Sequence, residues 1–417
     1  MLSNFPGVSE PRFWFKIALF NFLAAAILGV LLRFAFIQEL SWMNYTNVLH
    51  AHSHVASLGW LYLALFAILT RNFVKKRTRS MTWIFWISQI SVIGMFCTFI
   101  YSGYAPLSIG FSTLHAILSY EFAHILWKEL REREQEGYPK WALIFIKSSL
   151  AFMILSTLAL WALPALIIGN LKGSAIYYAI IQFYLHFQFN GWFIFAVIGL
   201  FLYGIGDYLV AISDRLMKAL WITLSVSCLL TYALSVTWSM PIHFLFTVNG
   251  IGALIQLISL ILFLIILREL RIDWSSRFTR TTRVLMWTAL ICLVLKTLIQ
   301  TSILIPGVAD MAFTIRNFVL AFIHLILLGI VTSFLLAEVS AYAWFKSNAP
   351  IVNIGIGLYF LGFVLTELLL SGQGLMLWLN QGFLDHYHTY IFIASLILPI
   401  ALVCIIIGLK NAQKRHS

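Results

Sequence analysis

Long apolar runs separated by short polar segments cover almost the whole chain. A helix rises about 1.5 Å per residue, so it needs about 20 apolar residues to cross a bilayer. Divided by that length, the sequence predicts about 12 transmembrane helices. Their ranges are 13–37, 46–70, 81–103, 106–127, 141–168, 175–204, 216–238, 242–267, 284–305, 311–340, 350–372 and 388–409. The predicted fold is an all-α, polytopic transmembrane helix bundle, with 1–417 as a single integral membrane domain. The longest polar stretch, 128–140, is predicted to be a loop.

The composition supports this class. Of the 417 residues, 61% are hydrophobic and only 10% are charged, whereas soluble proteins have about 25% charged residues. A water-soluble enzyme, a nucleic-acid-binding protein and a disordered protein are therefore excluded. The net charge of +12 does not indicate nucleic acid, because the basic residues stand in short loops between apolar runs. The expected partner of this surface is the lipid bilayer.

Lys and Arg residues in the loops predict the orientation of the chain. They cluster after the second, fourth, sixth and eighth spans and near the C-terminus, whereas the opposite loops hold little beyond Lys172 and Arg316. Basic loops stay in the cytoplasm, so both termini are predicted to be cytoplasmic. The expected location is a bacterial inner (plasma) membrane. The four cysteines form no CxxC pair and are expected to be small buried hydrophobic residues.

Histidines are distributed asymmetrically in this orientation, since nine of the ten that precede the C-terminal tail fall on the outer side. Polar side chains are costly in hydrocarbon, so each intramembrane histidine is a candidate functional residue. The densest group is His50, His52 and His54 at the start of the second span. His50 and His54 share one helix face, whereas His52 points to nearly the opposite side. One helix therefore offers imidazole nitrogens in two directions.

His324 stands alone in the apolar run of the tenth span. A haem iron held between histidines of two facing helices would satisfy both the triplet and His324. Arg316 lies eight residues earlier, about 12 Å nearer the outer surface, where Arg316 and Arg33 would pair with haem propionates. The alternative interpretation makes His324 a hydrogen-bond partner between helices and the two arginines interfacial anchors.

The sixth span holds a second polar group, in which Gln182, His186 and Asn190 share a face by their fourfold spacing. This group would line a second site or an access path for protons, quinol or a gas, and the alternative is a buried amide network. The remaining outer histidines are expected to be wetted near the interface: His115, His243, His386 and His388. Isolated intramembrane ionisable residues would serve a proton path or an internal ion pair: Glu121, Lys296 and Glu367.

The segment 49–60 (LHAHSHVASLGW), with outer histidines on the second and tenth spans of a bundle with both ends inside, resembles subunit I of the haem-copper oxidase and nitric oxide reductase superfamily. In that family one histidine on each of these two spans holds the low-spin haem. The resemblance implies that one of His50, His52 and His54 binds a haem, with b-type haem as the expected group, together with His324. It also implies that metal-ligand roles fall on His52, His54, His324 and His186.

The sequence departs from the family pattern at the copper site. The tenth span carries His324 alone where the family has His-x-His, and the predicted seventh span has no histidine. Asn190 stands four residues after His186, where the oxidases have a tyrosine. The resemblance therefore implies one haem, with an incomplete set of copper ligands.

The expected function is haem binding in respiratory electron transfer or in the handling of O2 or NO, with other respiratory subunits or quinol as further partners. An oxidoreductase activity of the oxidase or nitric oxide reductase type stays open. Two alternatives also stay open: a proton- or metal-coupled transporter that uses the outer histidines, and a subunit that assembles with a respiratory complex without catalysis. The sequence shows no clear internal repeat, which argues against a transporter built from inverted halves.

Overall fold

The computed structural model of the protein describes residues 11–75, 78–305, 307–344 and 350–409. Twelve long helices, α1 to α12, account for most of them. In chain order they are Pro11–Phe34, Tyr45–Phe73, Arg79–Ser102, Pro106–Gln135, Lys140–Ile168, Ala175–Gly204, Asp214–Thr237, His243–Glu269, Arg280–Ser302, Arg316–Ala341, Pro350–Trp378 and Tyr387–Gly408. Short helices at Gly206–Ala211, Trp274–Arg277 and Val308–Thr314 lie between them. None of the described residues forms a β-strand, so the all-helical prediction is confirmed.

Eleven of these helices are long and apolar enough to cross a membrane. The exception is α4, which has 30 residues but carries serine, histidine and glutamate among its apolar residues and is therefore less hydrophobic. The prediction of a multi-span helical membrane protein is confirmed at the level of these eleven candidates. A twelfth span and the orientation of the termini stay predictions.

The prediction that 128–140 is a loop is wrong for its first part, because α4 continues to Gln135. The extension is rich in Glu, Arg and Lys, which favour helix. Arg133 pairs with Glu129 and Glu136, three or four residues away on the same helix face. Lys147 of α5 contacts Glu134 at 2.6 Å, and this hydrogen-bonded ammonium lowers the pKa of the Glu134 carboxyl.

Polar side chains cap several helices at the start of the apolar runs. Asn44, Thr78, Ser174 and Ser213 precede α2, α3, α6 and α7. Each accepts a hydrogen bond from the backbone N–H three residues later. These bonds satisfy a backbone donor that the first helical turn leaves without a partner.

Three helices widen locally into π-helical segments. These segments are Val55–Tyr62 in α2, Phe187–Phe193 in α6 and Leu325–Thr332 in α10. A π-helical turn shifts the backbone hydrogen bonds from i→i−4 to i→i−5, and such insertions are frequent at functional sites. The sequence patterns gave no indication of them.

The chain forms two compact units. Unit 1 comprises Met1–Leu126, Thr279–Met286 and Thr332–Ser417, and unit 2 comprises Trp127–Phe278 and Trp287–Val331. Whether the chain behaves as a single membrane domain stays a prediction. Because lipid tails are as apolar as leucine, close packing and hydrogen bonds hold such helices together.

Aromatic side chains fill the centre of unit 1. Trp14 of α1 stacks on Phe85 of α3 with ring centroids 4.9 Å apart. Phe22 of α1 stacks on Trp60 of α2 at 4.8 Å. The Trp60 indole N–H donates to the Thr332 hydroxyl at 2.9 Å, so α2 and the last part of α10 are joined within this unit.

Glycines let the helices of unit 2 approach closely. A Cβ on Gly191 of α6 would lie 2.6 Å from the Cβ of Phe152 on α5. A Cβ on Gly199, two turns later, would lie 2.6 Å from the Cδ1 of Ile146. These distances leave no room for a side chain at either position. The backbone of α6 therefore packs directly against the Phe152 and Ile146 side chains of α5.

All four cysteines are free, as the absence of paired motifs predicts. Cys228 and Cys292 are buried, in line with the expectation for small hydrophobic residues, whereas Cys404 is half-buried and Cys97 is exposed. Cys97 therefore does not meet the expectation of burial. It lies on an outward face of α3, a helix that buries only part of its surface.

Candidate functional site

The histidine triplet occupies the first turns of α2, before its π-helical segment. His50 and His54 face the same side, where His50 contacts Tyr104 with ring centroids 4.6 Å apart and His54 contacts Phe99 at 4.3 Å. His52 points the other way, toward α1. The two directions that the spacing predicts are therefore present, and all three rings are half-buried.

Two of these rings, those of His52 and His54, each donate a hydrogen bond from Nδ1 to a backbone carbonyl oxygen. Nδ1 of His52 lies 2.8 Å from the Ala25 oxygen of α1, and Nδ1 of His54 lies 2.9 Å from the His50 oxygen. A carbonyl oxygen only accepts hydrogen bonds, so in the neutral ring Nδ1 carries the proton and Nε2 keeps its lone pair. This tautomer and this support are typical of histidines that bind a metal through Nε2.

Gly29 of α1 gives His52 its place between the two helices. A Cβ at this position would lie 3.2 Å from Cε1 of the His52 ring, which is closer than an ordinary contact. Arg33, one turn further along α1 and half-buried, lies near enough to His52 and to His388 of α12 to act on both electrostatically. A cationic group is thus present beside His52 in unit 1.

The π-helical segment that follows His54 is held by side chains of two other helices. Asn21 of α1 donates to the Gly59 oxygen at 2.9 Å and is paired through its amide with Gln89 of α3. The ring of His115 on α4 bonds the Leu58 oxygen. These bonds satisfy carbonyls in the wide turn, which a regular helix would bond internally.

His115 is a candidate that the sequence interpretation placed wrongly. It was expected to be wetted near the interface, but it is only 2% exposed. Its Nε2 is buried with no hydrogen-bond partner among the described residues. It packs against Tyr62 with ring centroids 4.6 Å apart and interacts electrostatically with His54. The available signal was a polar stripe at helical spacing on α4: Ser108, Ser112, His115 and Ser119.

The arrangement around His54 recurs on α6 and α10. In each case a histidine directly precedes the π-helical segment: His54, His186 and His324. In each case a buried glycine follows the histidine by five residues: Gly59, Gly191 and Gly329. The elements are 132 and 138 residues apart. The expectation of no internal repeat is therefore wrong at this local level, and the spacing His-x4-Gly was the signal that could have revealed it.

The three helices that carry this element are also the most buried candidate spans. In the apolar 18-residue stretch of each candidate span, 78% of the residues are buried in α2, 78% in α6 and 61% in α10. The corresponding share is at most 50% in the other candidates. In each helix the residues before the histidine are half-buried on average, and the run from the glycine onward is fully buried. Each histidine thus lies where the helix passes from partial to complete burial.

His186 on α6 is buried and uses both ring nitrogens. Nε2 lies 2.8 Å from the Cys228 oxygen of α7, and Nδ1 lies 3.4 Å from the Asn190 amide nitrogen. Gln188 donates to Ser156 of α5 at 2.8 Å. This is the amide network that the sequence left as an alternative for the sixth span. The metal-ligand role of His186 stays a prediction.

The remaining predicted residues are dispersed. His324 is half-buried in α10 within unit 2, and Arg316 is exposed at the first position of that helix. His50, His52 and His54 belong to unit 1, so their pairing with His324 stays a prediction.

His243 and His386 are exposed, in line with the expected wetting, whereas His388 is half-buried. Glu121 is exposed, Glu367 is half-buried and Lys296 is buried. No group of three or more His, Cys, Asp or Glu side chains among the described residues is arranged to hold a metal ion by itself.

A second polar group in unit 1 was not anticipated from the sequence. Glu338 of α10 is 4% exposed and hydrogen-bonds Tyr342. Asn72 of α2 donates to the Tyr342 hydroxyl at 2.6 Å, and the Arg71 guanidinium lies 3.6 Å from the centroid of the Tyr342 ring. Glu338 is an isolated carboxylate in the apolar run of the predicted tenth span, and that isolation was a usable signal.

The comparisons with known proteins add no family to this description. No family model matches the sequence, and no curated protein is significantly similar to it.

Proposed function

We propose that this chain is a haem-binding integral membrane protein that carries electrons or handles O2 or NO. The observation that carries the proposal is the support of His52 on α2. A tertiary hydrogen bond from Nδ1 to the Ala25 oxygen fixes its ring and leaves Nε2 as the nitrogen that can bind iron. Haem iron held by histidine supplies one-electron chemistry and, with an open position, the binding of diatomic gases.

The residues near His52 fit such a group. Gly29 leaves the space that the ring needs beside α1, and Arg33 adds a positive charge near the ring. A guanidinium pairs well with a carboxylate such as a haem propionate. Nε2 of His54 also keeps its lone pair, because Nδ1 of that ring bonds a carbonyl oxygen. That carbonyl belongs to the same helix, however, and the ring faces Phe99 and Tyr104. The proposal therefore assigns the ligand on α2 to His52 and keeps His324 as the second ligand predicted from the sequence.

The recurring element of α2, α6 and α10 also bears on the transporter alternative. The absence of a repeat no longer argues against a transporter. However, if every helix from α2 to α10 crosses the membrane, a period of four helices gives all three elements the same orientation. Inverted repeats, which are common in alternating-access transporters, need an odd number of spans in each copy. Elements that share one direction therefore argue against a transporter built from inverted halves, but not against one built from parallel repeats.

Absorption spectroscopy of the purified protein, oxidised and reduced with dithionite, tests the proposal. We expect a Soret band that His52→Ala and His324→Ala each remove almost completely, because loss of an axial ligand releases or exposes the haem. His54→Ala is expected to retain most of it. His243→Ala is the matched control, since this histidine is exposed at the start of α8 and its loss should leave the spectrum unchanged.

A ligand role is separated from a structural one by chemical rescue. Added imidazole should restore the Soret band of His52→Gly, because free imidazole can occupy the position of the missing ring. A preparation that stays colourless after expression with ample haem would contradict the proposal and favour the transporter. Full haem retention in His52→Ala with loss in His54→Ala would reassign the ligand to His54.

A further inference from the structure

Unit 2 contains a cavity between α6, α7, α8 and α9 that the proposed haem site does not use. It has a volume of about 30 Å³. Its apolar walls are formed by leucine, isoleucine and phenylalanine, and its polar side chains come from all four helices. These are Asn190, Cys228, Gln256, Ser259, Lys296 and Thr297. They lie well inside the apolar runs of their helices.

Lys296 sets the electrostatics of this cavity. It is 2% exposed and interacts electrostatically with the Cys228 thiol and with His186. No carboxylate of the described residues pairs with it. An amine buried in apolar surroundings is costly unless its N–H groups find acceptors. An acceptor inside the cavity would lower that cost.

The orientation of the Asn190 amide is fixed by its neighbours. His186 presents Nε2 to the Cys228 oxygen, so Nε2 carries the proton and Nδ1 is an acceptor. The Asn190 NH2 group faces both Nδ1 and the backbone oxygen of His186, at 3.4 and 3.3 Å. Because both neighbours accept, the amide cannot be reversed, and its Oδ1 is left buried without a hydrogen-bond donor.

The other polar atoms around the cavity are also acceptors. Oε1 of Gln256 is buried without a donor. The Ser259 and Thr297 hydroxyls donate to carbonyls of their own helices, at 2.9 and 3.0 Å, so only their lone pairs remain. Lys296 has three N–H donors and no acceptor. An anion would satisfy Lys296 but would face these oxygens, whereas a water molecule accepts from the amine and donates to the amides.

We propose that this cavity is an internal hydration site, in which about two water molecules bridge Lys296 to the amide oxygens of Gln256 and Asn190. The volume agrees, because one water needs about 10–15 Å³ of such space. The number of partners agrees as well, since a buried water makes about three hydrogen bonds. The water solvates the lysine amine and, through Asn190, holds the orientation of His186.

X-ray hydroxyl-radical footprinting of the purified full-length protein tests this site without reference to haem. Radiolysis forms radicals from bound water, and a thiol beside that water is oxidised first. Cys228 lines the cavity, whereas Cys292 is equally buried in unit 2 but does not line it. Both thiols are shielded from bulk solvent, so bound water is the nearby source of radicals. Because the proposed water lies beside Cys228, we expect Cys228 to be oxidised about fivefold faster than Cys292.

Two variants tie the signal to the proposed partners. Gln256→Leu removes an acceptor and Lys296→Met removes the amine, each with little change in side-chain size. Each should reduce the Cys228 rate to that of Cys292, which serves as the internal reference in the same sample. Equal rates of the two cysteines in the unaltered protein, or a fast Cys228 rate that both variants leave unchanged, would overturn the proposal. Neither result depends on haem binding, so this proposal and the haem proposal fail independently.

Discussion

Tyr342 is the residue on which the polar group at the ends of α2 and α10 depends. Its hydroxyl accepts from Asn72 at 2.6 Å and is hydrogen-bonded to Glu338, and both partners are buried. A buried polar group that loses its partner costs about 1–3 kcal/mol, more than the bond itself contributes. Two such groups meet at one hydroxyl.

Tyr342→Phe is therefore expected to destabilise the protein by about 1–3 kcal/mol, because the ring stays in place while the two buried groups lose their partner. Thermal unfolding in detergent measures the effect. Tyr101→Phe is the control, since Tyr101 is 91% exposed and should leave the midpoint unchanged. Equal midpoints for the two variants would mean that Asn72 and Glu338 find other partners.

Single residues show where the sequence could and could not predict the site. The two directions of the histidine triplet follow from helix geometry, and the structure has them. The polar stripe on α4 places His115 on one helix face, but the sequence does not show that this face meets α2, so its burial could not be predicted. The same limit applies to Glu338, because Arg71, which acts on it electrostatically, and Asn72, which bonds its partner Tyr342, are distant in sequence. Pairings between helices are set by packing, which local patterns do not contain.

At the scale of helices, the close approach of α5 and α6 depends on glycine. Gly191→Ala places a methyl group 2.6 Å from the Cβ of Phe152, an atom too near the backbone to move aside. We expect a loss of about 1–3 kcal/mol from overpacking, measured by thermal unfolding in detergent.

Gly357→Ala on α11 provides the matched comparison. No atom lies within 4 Å of the added Cβ there, so the change should be neutral or slightly stabilising, because alanine favours helix by about 1 kcal/mol over glycine. If Gly191→Ala were as stable as Gly357→Ala, the packing of α5 against α6 would have to be looser than described.

The existence of the long helices was predictable, but their internal shape was not. Apolar length alone predicts α1 to α3 and α5 to α12, with the largest deviations at the start of α10 and the end of α11, because a bilayer demands about 20 apolar residues of helix. The π-helical segments depend on tertiary partners such as Asn21, which satisfies a carbonyl of the wide turn. Only the spacing His-x4-Gly is visible in the sequence.

At the scale of the whole molecule, α4 decides the topology. It has the length to cross a bilayer, yet its apolar content is below that of the eleven candidate spans. Lys and Arg residues cluster in the loop after α2 and in the last turns of α4, which places these two segments on the same, cytoplasmic side. That arrangement requires both α3 and α4 to cross, since a single crossing between the two segments would separate them.

Reporter fusions along the chain test this prediction. A fluorescent protein that matures only in the cytoplasm should be bright when fused after Gly137 or at the C-terminus, and dark when fused after Gly103 or Gly173. Twelve crossings place both termini together, whereas eleven place them on opposite faces. If α4 does not cross, the fusions after Gly103 and Gly137 will report the same side. In that case α6 and α10 would run opposite to α2, and the argument against a transporter built from inverted halves would be lost, because the three histidine elements would no longer share one orientation.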